Sequence, residues 1–287
     1  MPAPFQASAN ALFHTEVRRV TRLSPGFVRI TLTGAHLNQF AAHGLDQRIK
    51  ILLPTIAQPA FDDELLHESE WRRRWRDLPV ADRPALRSYT TSAVRPDLRE
   101  IDLDFYVHER PGPASSWAVQ ARAGHRLLVS GPHNRLTDRP YGIQWSPGAA
   151  TDVLLAGDET AFPAIRGIAS ALHPTIRTTI ILETGDPADA AWLTRELPAH
   201  TTTVHLRGPA DDGRALVDAV AHWTRGAGSA AAGRGSNFYA WLATESGRVA
   251  QLRELLLHGA GIAPAQVHSQ GYWNARPRGA RRFEGGA

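Results

Sequence analysis

The segment ALRSYTTSAV, residues 85–94, sets Arg87, Ser88, Tyr89 and Thr90 side by side. The pattern around it predicts an extended strand, in which alternate side chains share a face. Arg87 and Tyr89 then point the same way, with the Thr90 hydroxyl or backbone beside them. A planar cation, a flat ring and a small hydrogen-bonding group suit a ligand that combines phosphate with a ring system. They also describe an ordinary exposed strand whose Arg and Tyr cover apolar surface, and by themselves they favour that plainer reading.

A second stretch, LLAGDETAFPAI (154–165), reads as a buried strand, a turn and the start of a helix. In open parallel sheets ligands bind beyond the carboxyl ends of the strands, and the N–H groups that open a helix favour an anion. Thr160 is placed to bond a ligand there, and Pro163 suits the first helical turn. No G-x-G-x-x-G occurs, so the ordinary dinucleotide fingerprint is absent. The 13 histidines show neither H-x-H nor H-x-x-x-H spacing, and no metal site is expected. The lack of cysteine excludes disulfides, Fe–S clusters and zinc–thiolate sites, and it is compatible with a reducing compartment.

Two kinds of element have to position these residues. Strand-like alternation runs through residues 14–54, with turns at SPGF and TGAH, and returns at 87–92, 101–107 and 125–130. Residues 60–86 interrupt it, and WRRRWRD (71–77) reads as a charged, solvated helix or lid. About six short strands predict a small antiparallel β-barrel over residues 1–145. The period then changes. VLLAG, TTIILET, TTVHLRG and NFYAWLATES read as strands, and the segments after them as helices. Successive βα units predict a parallel-sheet α/β domain over residues 146–287. GAGSAAAGRGS (226–236) reads as a flexible loop.

A length of 287 residues fits two domains, and 43% hydrophobic with 21% charged residues is the composition of a soluble globular protein. The net charge of +4 is modest, and the arginines are spread along the chain. Nucleic-acid binding wants a concentrated basic stripe, and WRRRWRD is flanked by acids, so no nucleic-acid partner is expected. No apolar stretch has membrane-spanning length, and the N-terminal residues lack a secretory pattern. No membrane partner and a cytoplasmic location are therefore expected. Lys50 is the only lysine among 32 Lys and Arg, which singles it out for a specific role or for none.

Three stretches together resemble one family. RSYT (87–90), DFYVHERPGPASSWA (104–118) and LLAGDETAFPAI are similar to the flavin- and nicotinamide-binding motifs of the siderophore-interacting proteins. These are FAD-dependent ferric-siderophore reductases of the ferredoxin–NADP reductase-like superfamily. YAWLATES (239–246), GYW (271–273) and the lysine-bearing QRIKILLP (47–54) are similar to further family signatures. The specific part is H-x-x-x-G-P-A-S-x-W together with G-D-E-T-A-x-P-A-I. His125 stands where the family usually carries Asp, a change expected to affect only a barrel turn.

The resemblance implies a set of site residues. Arg87 pairs with the flavin phosphates, Tyr89 packs on the isoalloxazine, and Thr90 reaches its N5 region, with Ser88 in the same motif. The stretch of Gly112, Pro113, Ala114 and Ser115 supplies backbone N–H groups, from its residues other than Pro113, and the Ser115 hydroxyl to the diphosphate. Trp117 packs behind them, and His108 either touches the ribityl–phosphate region or is structural. Asp104 and Val107, and from the second motif Thr160 and Ala161, complete the FAD set. Gly157, Asp158, Glu159, Thr160 and Glu245 fall to the nicotinamide, Glu245 being alternatively a helix cap. Glu183, with Asp186 nearby, would accept from a ribose hydroxyl and repel a 2′-phosphate, which leans toward NADH over NADPH; ferredoxin is an alternative donor. Lys50, Arg276 and Arg278 would form a cationic mouth for an anionic ferric siderophore.

The chemistry that follows is reductive. Hard anionic oxygens hold Fe(III) and release Fe(II), so the protein must deliver single electrons where a nicotinamide gives a hydride. A flavin bridges the two. The expected function is FAD-dependent ferric-siderophore reduction by NAD(P)H. The alternatives are a flavin-dependent electron carrier or general NAD(P)H reductase with another acceptor, and a protein that only sequesters the ferric complex.

Overall fold

Alternating apolar residues build β1 (Asn10–Arg22), β2 (Phe27–Thr33), β3 (Arg48–Leu53), β4 (Leu66–His67), β5 (Ala85–Arg95), β6 (Glu100–Tyr106) and β7 (Arg126–Pro132). The computed structural model describes residues 10–54, 65–108, 112–134, 142–197, 201–208 and 213–275. Six of the strands run antiparallel in the order β2-β6-β5-β3-β7-β1, and β1 pairs back on β2 to close a barrel. The two-residue β4 adds to β1 at the edge. Bulges at Val17/Arg19 in β1 and Thr91/Ala93 in β5 bend the strands as closure requires. Phe13, Ile30, Leu32, Ile51, Leu103, Phe105 and Val129 fill the interior. Gly131 is needed in β7, because a Cβ there would stand 2.4 Å from the Phe40 ring.

The WRRRWRD run does form a helix, α1 (Glu68–Asp77), but it is pinned rather than merely solvated. Trp71 is fully buried against Leu12, Leu52 and Leu66 on the outside of the barrel. Arg72–Glu68 and Arg74–Glu70 pair one turn apart on its polar side. A second helix, α2 (Pro113–Gln120), buries Ala114 and Ala118 against the barrel core. The chain through Trp145, together with Pro163–Ala171, makes one compact unit.

The other unit holds Ser146–Phe162 and the chain from Leu172 onward. Its strands are β8 (Asp152–Gly157), β9 (Arg177–Thr184), β10 (Thr201–Leu206), β11 (Phe238–Glu245) and β12 (Val267–Trp273). All pair in parallel, in the order β10-β9-β8-β11-β12. Helix α3 (Phe162–Ala171) follows β8, α4 (Pro187–Glu196) follows β9, α5 (Arg214–Trp223) follows β10, and α6 (Ser229–Gly233) and α7 (Ser246–Glu254) flank β11. Strand order reverses between β8 and β11, the point at which open sheets place a ligand crevice. The segment 226–236 is helical, not a flexible loop: a wide turn over Thr224–Gly228 leads into α6. Its alanines favour helix, and Gly228 is there for packing, since a Cβ would stand 2.7 Å from the Ala260 methyl. The fifth strand, β12, escaped the sequence pattern because VHSQGYW has few apolar residues.

Candidate functional site

In the barrel unit, Arg87 and Tyr89 face Ile51 and Ile49 across the ladder, while Ser88 and Thr90 face Lys50 and Arg48. The pleat therefore puts Arg87 and Tyr89 on one face and Lys50 with Ser88 on the other. The Tyr89 ring rests on Phe105 at 4.5 Å, and Phe105 on Trp117 of α2 at 5.8 Å. This aromatic chain ties the RSYT strand to the start of the helix. Burial, against the pull of Arg87, pushes the Tyr89 phenol well above its ordinary value, so the ring stays neutral.

Arg87 is exposed, and its guanidinium makes only a 3.0 Å bond to the Leu86 carbonyl among the described residues. Helix α2 opens at Gly112 with Pro113 in its first turn and no side chain capping its first amides. A Cβ on Gly112 would meet nothing within 4 Å among the described residues. His108 is exposed, its ring 6.1 Å from Tyr106.

Two expected contacts are corrected here. The Ser115 hydroxyl donates to the Tyr106 carbonyl at 2.9 Å and fixes the helix to β6, which leaves its backbone N–H for a ligand. Asp104 is buried in a bidentate pair with Arg29 (2.7 and 2.8 Å) and a further bond to Arg166 (3.1 Å), so its carboxylate belongs to the barrel wall. Val107 donates its N–H to Gly26 at 2.7 Å. Thr90 is buried.

Lys50 is half-buried and donates to the Ser88 hydroxyl. Burial, with Arg48 and Arg72 near it, lowers its pKa against the opposing charge of Glu68. Arg276 and Arg278 lie outside the described residues.

In the sheet unit, acids crowd the carboxyl ends of the strands. Buried Asp158 accepts from the Thr160 N–H (2.9 Å) and hydroxyl (2.5 Å), the Thr244 hydroxyl (2.7 Å) and the Trp273 indole N–H (2.8 Å). It locks the ends of β8, β11 and β12 together. Thr160 therefore has its hydroxyl engaged within the protein, and Ala161 is fully buried with its N–H on the Asp158 carbonyl. Glu159, also buried, accepts from the Gly185 N–H at 2.9 Å and from Arg207 at 2.6 Å. Gly157 is the buried last residue of β8.

Glu183 does not reach a ribose. It is 1% exposed, accepts from Arg207 at 2.8 Å and caps α5 through the Leu216 N–H at 2.7 Å. Burial pushes its carboxyl up, against the pull of those two donors. Asp186 caps α4 through Ala188 N–H at 2.7 Å. Glu245 caps α7: it accepts from Gly247, Arg248 and Ala275 N–H groups at 2.7, 3.1 and 3.1 Å. Burial pushes its carboxyl up, but those three N–H groups and the Arg248 charge outweigh it and hold the pKa below the ordinary value. With Glu183 turned inward, the lean toward NADH loses its basis.

Sequence reasoning missed Arg207 and Arg248. The readable signals were an arginine just past a strand in TTVHLRG, and D-P and E-S-G-R at helix starts, which mark capping acids.

Comparison with known proteins decides the family. Residues 16–136 match the siderophore-interacting FAD-binding domain, and residues 150–276 match the siderophore-interacting protein domain. The chain belongs to the siderophore-interacting protein family. A solved member, the siderophore-interacting protein SipS from Aeromonas hydrophila, is 26% identical, with a TM-score of 0.69 and 94% of each chain covered. The NADPH-dependent ferric-chelate reductase of Escherichia coli is 28% identical over 91% of this chain and 92% of its own. The mycobactin import ATP-binding/permease protein IrtA of Mycolicibacterium smegmatis is 30% identical over 82% of this chain. This chain spans about a quarter of the length of the IrtA relatives, 25% and 28%. The barrel carries the donor set that FAD requires: an exposed guanidinium without a carboxylate partner among the described residues, uncapped helix amides behind a glycine, and a half-buried neutral tyrosine ring. Among the described residues no helix is long and apolar enough to cross a membrane.

Proposed function

We propose that this chain is an FAD-dependent reductase that takes electrons from NAD(P)H and delivers them to ferric siderophores, releasing Fe(II). The observation that carries the reading is the barrel constellation of exposed Arg87, half-buried Tyr89 and the uncapped start of α2, on the segment that matches the family's FAD-binding domain. We assign the barrel unit to FAD and the sheet unit to the dinucleotide. FAD, when bound, accepts the hydride pair and passes electrons on one at a time.

The residues of the chain do the holding. Arg87 offers its planar fork to the diphosphate. The Ala114 and Ser115 N–H groups of α2 reinforce the same anion. Tyr89, kept neutral by burial, presents a ring backed by Phe105. Lys50 supplies a cation for an anionic ferric siderophore, its ammonium oriented by Ser88. The E. coli relative is named for NADPH, and buried Glu183 is not placed to repel a 2′-phosphate, so NADPH is the first donor to test. A reducing compartment, the cytoplasm, suits a chain without cysteine.

The test is anaerobic spectroscopy of the FAD-reconstituted protein. Bleaching of the flavin band by NADPH or NADH, and its return on adding a ferric siderophore, supports the reading. Bleaching with return only on quinone or oxygen would assign a different acceptor. Bleaching by reduced ferredoxin and by neither nicotinamide would replace the donor.

A further inference from the structure

We infer that Arg248 is the residue that grips the diphosphate of the nicotinamide donor; this rests on the dinucleotide reading of the sheet unit. Backbone amides at helix starts usually do this work in parallel sheets. Here carboxylates of the chain already hold several of them. Asp186 closes the first turn of α4, Glu183 that of α5 and Glu245 that of α7. In the turn before α3, Asp158 holds the Thr160 N–H, and Pro163 has no N–H to give. The missing G-x-G-x-x-G is thus matched by a structural fact: carboxylates of the protein sit where a diphosphate would bind. An anion at this edge therefore gains most from a side-chain cation.

Among the described arginines at this edge, Arg207 is neutralised by Glu159 and Glu183. Arg248 is not. Its backbone N–H goes to Glu245, and among the described residues its guanidinium has no carboxylate or carbonyl partner. The group is nevertheless held in place. A Cβ on Gly213 would stand 2.5 Å from its Nε and 2.6 Å from its Cζ, so glycine, at φ +83°, is what makes room for it. The Trp273 ring lies 5.8 Å from its Cζ and is itself fixed through the indole N–H to Asp158. A planar fork packed against backbone and indole keeps its in-plane N–H groups for a bidentate oxyanion. Arg248 opens the helix after β11, beside the reversal of strand order, where the middle of a dinucleotide crosses the sheet edge. That middle is the diphosphate, common to NADH and NADPH.

Calorimetric titration of the FAD-loaded full chain with NADP⁺ and with NAD⁺ tests this, alongside KM for the reduced forms. Arg248→Gln, which keeps size and loses charge, should weaken both nucleotides by about 10- to 100-fold with FAD content unchanged. KM should rise by the same factor for both donors, and Arg248→Lys should recover part of the loss. Unchanged affinity in Arg248→Gln would overturn the assignment, as would a loss confined to NADP⁺, which would move the contact to the 2′-phosphate. A wild-type protein that binds neither nucleotide would instead remove the dinucleotide reading itself.

Discussion

The first turn of α2 in the barrel unit begins at a bare glycine, and Arg87 stands exposed on β5. In the sheet unit, helices α4, α5 and α7 begin under a carboxylate of their own chain. One unit leaves its backbone donors open and can hold an anion with few side chains. The other holds first-turn amides with its own carboxylates and gains rigidity at the strand ends. The same motif, a helix start next to a strand end, is left open in one case and closed as a structural joint in the other. What separates them is whether a carboxylate reaches the first amides: among the described residues none does at Gly112, whereas Asp186 and Glu245 do so from their own caps and Glu183 reaches across to α5, whose cap is Gly213.

The largest effect should come from the joint itself. Asp158→Ala would strip partners from Thr160, Thr244 and Trp273 at once. The expected loss is about 3–5 kcal/mol of stability, read by denaturant unfolding. The indole emission of Trp273 should shift as its N–H is freed. The barrel should behave otherwise: Arg87→Ala should leave unfolding nearly unchanged and weaken FAD binding by about 1.5–3 kcal/mol, read by flavin titration. A large stability loss in Arg87→Ala would break the contrast between an open site and a closed joint.

The pH response should sharpen it. Burial pushes the Glu100 and Asp102 carboxyls in the barrel up, but Arg19 and Arg95 on Glu100, and Arg95 and Thr31 on Asp102, hold both below their ordinary values. They therefore add stability above an unfolded pKa of about 4, and that stability is lost as pH falls through the folded values. Glu183 has the opposite sign, since burial raises it. Its contribution is fully present below the unfolded pKa and is lost as pH rises through its folded value. Asp102→Asn should flatten the acid limb of the stability curve, and Glu183→Gln should raise stability near neutral pH relative to acid. Equal slopes in the two variants would count against the assigned environments. The smallest effect belongs to Lys50. Lys50→Ala should raise KM for an anionic ferric siderophore about two- to fivefold and reduce its salt dependence, with FAD content intact.

Fold was legible where periodicity was strong. The barrel strands and four of the five parallel strands follow from period-two alternation or short apolar runs. β12 did not, because its polar residues carry no pattern. The 226–236 segment misled because glycine was read as flexibility, whereas Gly228 serves close packing against Ala260. At the site, residue types alone left the RSYT strand looking like an ordinary exposed strand, and only the family resemblance pointed to it and to the GPASSW helix start. The acids were readable as acids but not as to what they faced. Asp158, Glu159, Glu183 and Asp104 each look available in sequence, and only tertiary placement shows that arginines, hydroxyls and amides already use them. Arg207 and Arg248 come from segments distant in sequence from the acids, aromatics and glycine beside them.

The central claim is reduction of siderophore-bound iron at the expense of a nicotinamide. Its most direct test is anaerobic stoichiometry, with the FAD-loaded chain, NADPH as sole donor, a ferric siderophore and an Fe(II) trap. About two Fe(II) trapped per NADPH consumed, at a rate that depends on FAD and falls in Arg87→Ala, is the predicted result. NADPH consumed only when oxygen or a quinone is supplied, with no Fe(II) trapped, would contradict it.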